Sequence, residues 1–433
     1  MVRRSSEGFR IAAGRQGALL RLAAMAVLSA SPLAATAGEK GDDKMGKARK
    51  AAYVPAPRPA KTDYLIGAHY FPGWKEGTHY GWGKIEPYPE RTPLLGYYDE
   101  GSPEVADWEI KWALEHGIRF FLYCWYGKDS RTSGAAWWEK TPVTDGMHYY
   151  GHALHEGLFK SRYGSRMKFA IMWENANAGG VSSRRKMLEK LLPYWIRTYF
   201  RRDNYLKIDG KPMLYVYDVG RFVRDLGGKA AVKALVAQMR QACRKAGLAG
   251  LLVLGENRGG SLGDVIPACG YDGVFSYCWH TPQRRPTGKQ AIACQLDQMR
   301  SRLRWPLPFL PTASVGWDPM PWQSKGSGAP WLNPDKMTRW KLTPRQWQSL
   351  LEKTKGLMDG LPKDRLARRV LLLDNWNEWG EGHYLAPHGK EPFAYLQAVR
   401  KVFTDGANRP DYRTPKDLHL GPYDTLYRKS KTK

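Results

Sequence analysis

No run of about eighteen or more apolar residues occurs in the sequence, so no helix of the mature chain is expected to span a bilayer. Cysteine is scarce. Cys124, Cys243, Cys269, Cys278 and Cys294 form no CxxC pair, which removes support for a zinc ribbon or a thioredoxin-type site. Cys124 and Cys278 lie in apolar strand-like runs and read as buried thiols. In an exported chain one or two cysteine pairs could oxidise, with partners the sequence does not assign. His69, His280 and His383 show no HxH or HxxxH spacing, so no metal is expected, and no cofactor motif is found. A doubly wound nucleotide fold would carry a glycine-rich loop after its first strand. His69-Tyr70-Phe71-Pro72-Gly73-Trp74 stands there instead. Nucleic acid is a poor partner: no recognised motif is present and the basic residues are scattered.

What the chain has in excess is positive charge, 68 Lys and Arg against 41 Asp and Glu, a formal net +27. Less than half of this belongs to the two ends and the linker. The rest either suits an anionic polysaccharide, a phosphate-bearing glycan or a bacterial surface, or reflects an arginine-rich composition and a solvated basic face. Residues 1–37 read as an export signal: Arg3, Arg4, Arg10, Arg15 and Arg21 precede and flank the apolar run Leu22–Ala30, and Ala35-Thr36-Ala37 fits a cleavage site. Localisation is therefore expected to be periplasmic or secreted. Residues 38–62, rich in Lys, Ala and Pro, read as a flexible or polyproline-like linker. Residues 405–433 read as a C-terminal extension whose basic tail, Arg428 to Lys433, is disordered.

Between these ends strand and helix signals alternate. Apolar or aromatic runs fall at 65–71, 120–126, 169–174, 213–218, 251–256, 273–279, 309–317 and 370–375, as buried parallel strands require. Helical periodicity lies between most of them. Ser102-Pro103-Glu104 is expected to cap one helix, and Thr343-Pro344 to open another. Eight such strands over residues 63–404 predict an α/β fold of the (β/α)8 TIM-barrel type as a single catalytic domain.

In such a barrel the chemistry lies where strands end. Those ends carry His69 and Tyr70; Trp125 and Tyr126; Glu174 and Asn175; Tyr217; Glu256; Trp279; Trp317 and Asp318; and Trp376, Asn377 and Trp379. Aromatic faces stack on the C–H faces of sugar rings, and acids, amides and His hydrogen-bond hydroxyls. Any one of these aromatics could equally be a core cap. As a set they point to a poly- or oligosaccharide. The densest stretch, Asp374 to Tyr384, holds Glu378 and Glu381. Three residues apart, they share a face if the loop turns helically. Two carboxyls in unlike surroundings can divide acid and base work on a glycosidic bond. Gly380 and Gly382 would permit close backbone approach.

Asn377-Glu378-Trp379-Gly380-Glu381-Gly382 resembles the Asn-Glu-Trp-x-Glu-Gly motif of the glycoside hydrolase family 99-like proteins. That group includes endo-α-mannosidases and a bacterial branch described as WbsX-type glycosyltransferases. Ile66–Trp74, the run from Gly96 to Phe121, Asp209–Leu214 and Glu381–Phe403 match the same pattern, so the resemblance spans about residues 64–404. It implies a (β/α)8 barrel, Glu381 as general acid/base, and Glu378 deprotonating the sugar 2-hydroxyl. A 1,2-anhydro intermediate and net retention would follow. The mannosidase motif has histidine where Gly380 stands, which matches the WbsX-like branch better. Hydrolysis is the leading reading; a transferase or transglycosylase of surface-polysaccharide assembly and a non-catalytic glycan-binding barrel are the others.

Overall fold

Eight parallel strands carry the fold: β1 Leu65–Tyr70, β2 Ile118–Gly127, β3 Lys168–Trp173, β4 Lys211–Val216, β5 Leu252–Glu256, β6 Gly273–Phe275, β7 Thr312–Ser314 and β8 Val370–Asp374. The computed structural model describes residues 52–78, 81–127, 148–176, 181–389 and 392–432. The expected export signal and the first part of the expected linker lie outside these. The strands hydrogen-bond in the order β6-β5-β4-β3-β2-β1-β8-β7. A parallel bridge between Val274 and Phe309 joins the two ends and closes the ring. The predicted barrel is therefore the observed one. Its strands read as unbroken apolar runs because both faces are covered; all five residues of β8 are buried.

Two strands are shorter than their apolar runs. The sixth stops at Phe275. The seventh divides after Ser314, and Gly316–Trp317 leaves the barrel to pair antiparallel with Trp340–Lys341. This carries Trp317 over the mouth.

Helix α1, Pro103–Glu115, buries Asp107, Glu109, Lys111 and Glu115, an unusual load of charge. Two flanking segments account for part of it. Residues 52–62, expected as free linker, are strapped to α1: Tyr53 donates to Asp107 at 2.6 Å and Ala60 N–H to the Leu114 carbonyl at 2.9 Å. The C-terminal segment covers another side, where Lys111 pairs with Glu115 at 2.9 Å and lies near Asp411, and Tyr423 donates to Glu104 at 2.6 Å. The expected disordered tail is instead a helix, Thr425–Lys431, anchored by buried Tyr427. Ser102 does not cap α1 with its side chain; its carbonyl accepts from Ala106 N–H. Thr343 does cap its helix, Pro344–Asp359, through a reciprocal box with Gln346. All five cysteines are free thiols, with Cys124 and Cys278 buried.

Candidate active site

After β8 the chain makes a hairpin. Asn377–Glu378 pairs antiparallel with His383–Tyr384, with Glu378 opposite His383. Directly opposed residues of such a pair send their side chains to one side. The two glutamates are thus brought together by a β-turn ribbon rather than by the helical loop the spacing suggested. Asn377 fixes the ribbon to the end of β1: its amide accepts from Phe71 N–H at 2.8 Å and donates to the Phe71 carbonyl at 2.9 Å.

His383 is the hub. Its Nε2 meets Glu381 Oε2 at 2.9 Å, and its Nδ1 is hydrogen-bonded to Asp374, the last residue of β8. Burial disfavours a charged ring here, but Asp374 and then Glu381 outweigh it and raise the imidazole to about 10. At neutral pH His383 is an imidazolium donating from both nitrogens. Glu378 is 4% exposed, and its Oε1 has no hydrogen-bond partner. Burial raises its pKa well above the usual range, and the negative charge of Glu381 adds to this.

The turn needs its glycines. Gly382 has φ +77°, and a Cβ there would lie 2.7 Å from Asp318 Cβ. A Cβ on Gly380 would lie 1.9 Å from the Trp322 ring, which stacks at 6.4 Å on Trp74. Gly380→Ala is expected to displace that indole or the turn and to destabilise the protein by about 1–3 kcal/mol. Chemical denaturation checks this, and the double variant with Trp322→Ala should recover most of the loss.

The predicted site residues divide sharply. Tyr126, Glu174, Tyr217, Glu256 and Trp317 converge on the mouth. The charges of Glu378 and Glu174 reach Cys124 and Tyr126. Trp317 lies 5.2 Å from the His383 ring. Tyr217 accepts from Arg258 at 2.6 Å, and the buried Glu256 carboxyl accepts from Arg258 N–H at 2.9 Å. His69 points inward but is sealed within the barrel, 6.1 Å from Phe275 and 5.1 Å from Tyr277, with burial pushing it down to about 3.

The remainder are structural. Trp125 packs on Trp195 and donates to Tyr199; Trp279 donates to the Thr312 carbonyl and packs on Phe309. Both are fully buried between sheet and helices. Asn175 clamps the backbone of Asp218. Asp318 is held by Arg339 at 2.8 Å and Arg91 at 3.2 Å, and its N–H fixes the Glu381 carbonyl at 2.6 Å. Trp379 is buried against Tyr384. Tyr70 and Trp376 face away from the mouth, donating at 2.8 and 3.0 Å to Glu109 on α1.

Burial lifts Glu109 to about 8. The folded protein therefore keeps this proton up to about pH 8, whereas the unfolded chain loses it near the ordinary 4.5. Its contribution to stability is full below that value and falls as pH rises towards 8. Glu109→Gln has no proton to lose. It is expected to raise the melting temperature relative to wild type at pH 8, the gap closing in acid.

Sequence reasoning missed three mouth residues in their roles. His383 reads from sequence as a hydrogen-bond donor rather than a metal ligand and is given no part in the carboxylate pair, although it lies two residues from Glu381. Tyr277 accepts from the Asn375 amide at 3.1 Å, and with its ring 5.8 Å from His383 it sits at the centre. Arg258, two residues past Glu256, donates to Tyr217 and to Cys278.

The family model described as glycosyltransferase WbsX matches residues 168–399, from β3 through the glutamate hairpin. Two proteins of Xanthomonas campestris pv. campestris, both named WxcX, are 23% identical over 345 residues, which is 75% of this chain and 44% of theirs. The chain thus spans less than half the length of these curated relatives. Among solved structures, a GH99 endo-α-mannosidase from Bacteroides thetaiotaomicron in complex with BIS-TRIS-propane matches 79% of this chain and 97% of its own, at 15% identity and TM-score 0.53. A glycoside hydrolase-like protein matches 81% and 98%, at 16% identity and TM-score 0.53. At such identities the likeness is one of fold.

Proposed function

The chain belongs to the glycosyltransferase WbsX family, and on that footing we propose that it is an exported enzyme acting on the glycosidic bonds of a poly- or oligosaccharide. In this reading it is a retaining hydrolase with Glu378 and Glu381 as its working carboxyls. The observation that carries it is the hairpin that sets both glutamates against one imidazolium beyond the end of β8.

Cleavage needs a proton on the leaving oxygen and relief of charge at an oxocarbenium-like carbon. Glu381 accepts from His383, and the proton held on that hydrogen bond is the one it would relay to the leaving oxygen. Glu378, with its raised pKa, is a stronger base once deprotonated, suited to the sugar 2-hydroxyl. Activity should then fall in acid as Glu378 takes up its proton. It should fall again as pH rises through the His383 value of about 10. Tyr126, Tyr217, Tyr277 and Trp317 would present ring faces and hydroxyls to the substrate.

The mature protein should release reducing ends from one of a set of anionic and α-linked polysaccharides, with retained anomeric configuration by NMR. Inverted product would reject the proposed route, and no release from any would reject hydrolysis. The family's own name favours transfer as the second reading; products longer than the substrate, formed on an added oligosaccharide acceptor, would select it. Export is tested by N-terminal sequencing of the periplasmic or secreted protein, expected to begin after Ala37.

A further inference from the structure

At the opposite end of the barrel from the glutamates, where the strands begin, lies a cavity of about 430 Å³. That volume falls within the range of about 300–1,000 Å³ typical of small-molecule sites. Four cations line it. Arg119 is the second residue of β2, Lys168 the first of β3, Arg166 precedes Lys168 by two residues, and Arg369 stands immediately before β8. The single acid in the lining is Asp63. Among the described residues none of the four cations forms an ion pair. Arg119 is half-buried, and its guanidinium donates to the Ala60 carbonyl, so its charge is held in place but not neutralised. Desolvation lowers its pKa, as expected for a cation drawn off the surface without a counter-charge.

Crowding of like charge extends past the rim. The Lys207 ammonium is pushed down first by burial, and the charge of Lys168 adds to this against the opposing Asp203. Positive charges gathered in this way repel one another, and a bound anion relieves that repulsion. The rest of the wall is largely apolar, and the half-buried ring of Tyr64 contributes to it with its hydroxyl already engaged by Asp359. Cations around an apolar wall suit a ligand with an oxyanion on a compact body.

We propose that this cavity is a second, non-catalytic site that binds an oxyanion, a carboxylate or phosphate, as carried by an acidic saccharide or by free phosphate. It does not depend on the reaction proposed at the other end of the barrel. Arg and Lys would supply charge-assisted hydrogen bonds, Arg with its planar fork.

The test is isothermal titration of the full chain with three probes: inorganic phosphate, a glucuronate-containing oligosaccharide, and its neutral glucose counterpart, each at low and high ionic strength. The acidic oligosaccharide, phosphate or both should bind, with affinity falling as salt rises. The oligosaccharide binding more tightly than phosphate identifies a sugar-borne anion; equal affinity identifies a free one. Arg166 and Lys168 are exposed and unpaired, so the Arg166→Glu/Lys168→Glu variant should fold. It should lose about ten-fold or more in affinity for the anion, a difference well within the range titration resolves. Turnover at the far end should be unchanged. Binding of the neutral sugar as tight as the acidic one, no binding of either anion, or undiminished affinity in the double variant would each overturn the proposal.

Discussion

Glu381→Gln is expected to lower turnover by roughly 10²–10⁴-fold, the usual range for loss of a positioned general acid or base, while glycan binding survives. The amide keeps the shape of the side chain and can still accept from His383 Nε2, so the hairpin should not move. What would be lost is the proposed path by which the imidazolium proton reaches the leaving oxygen. Glu378→Gln should fall by a comparable factor, with a different signature. Burial and the neighbouring Glu381 raise the Glu378 pKa, so wild-type activity should decline as pH falls through that value. The residual activity of Glu378→Gln should lack this acid limb, whereas that of Glu381→Gln should keep it. Initial rates against pH for the three proteins, with binding followed by tryptophan fluorescence, measure both effects. Wild-type rates in either variant would end the case for the pair.

The barrel was readable because each strand is buried on both faces and so writes itself as an apolar run. The site was readable only in part, and the divide follows the two-residue period of a strand. Tyr126 and Glu174 point into the barrel; their neighbours Trp125 and Trp173 point out and meet Trp195 on the covering helix. His69 points in and Tyr70 out, to Glu109 on α1. Barrel strands alternate in this way throughout. Reading strand ends as a block therefore took in both the mouth-facing residues and the layer between sheet and helices. Applying the alternation would have separated Tyr70 and Trp125 from the mouth; Tyr277 and Trp279 lie past the end of the sixth strand at Phe275, where the period no longer holds. The motif's hairpin was not readable, because the spacing of Glu378 and Glu381 fits a helical turn equally well and only the pairing with His383 decides it. The strap at 52–62 was misread because proline-rich composition reports an extended backbone and not whether that backbone docks. Its hydrogen bonds to Asp107 and the Leu114 carbonyl depend on partners more than fifty residues away.

The largest effect on stability is expected from His383→Ala. Asp374 is fully buried and hydrogen-bonded to the His383 imidazolium. Removing the ring leaves a carboxylate in the barrel mouth without its counter-charge, close to Glu378 and Glu381. Breaking a buried pair from one side costs about 3–5 kcal/mol. The loss should be greatest at neutral pH and shrink in acid, where Asp374 can take up a proton. Asp374→Asn/His383→Gln removes charge from both partners and should recover much of the loss while remaining nearly inactive, since a glutamine N–H can donate to Glu381 but has no acidic proton to relay. The wild type supplies an internal check on sign. With a folded pKa of about 10 against an ordinary 6.5, His383 contributes its full stabilisation below pH 6.5 and loses it as pH rises through 10. Urea denaturation of wild type, single and double variants from pH 5 to 10 separates the cases, because above about pH 8, where the Glu109 decline is over, only proteins that retain His383 should go on losing stability. A His383→Ala protein as stable as wild type at pH 7 would mean that Asp374 and Glu381 are not held by a shared imidazolium. The proton relay would then lose its physical basis.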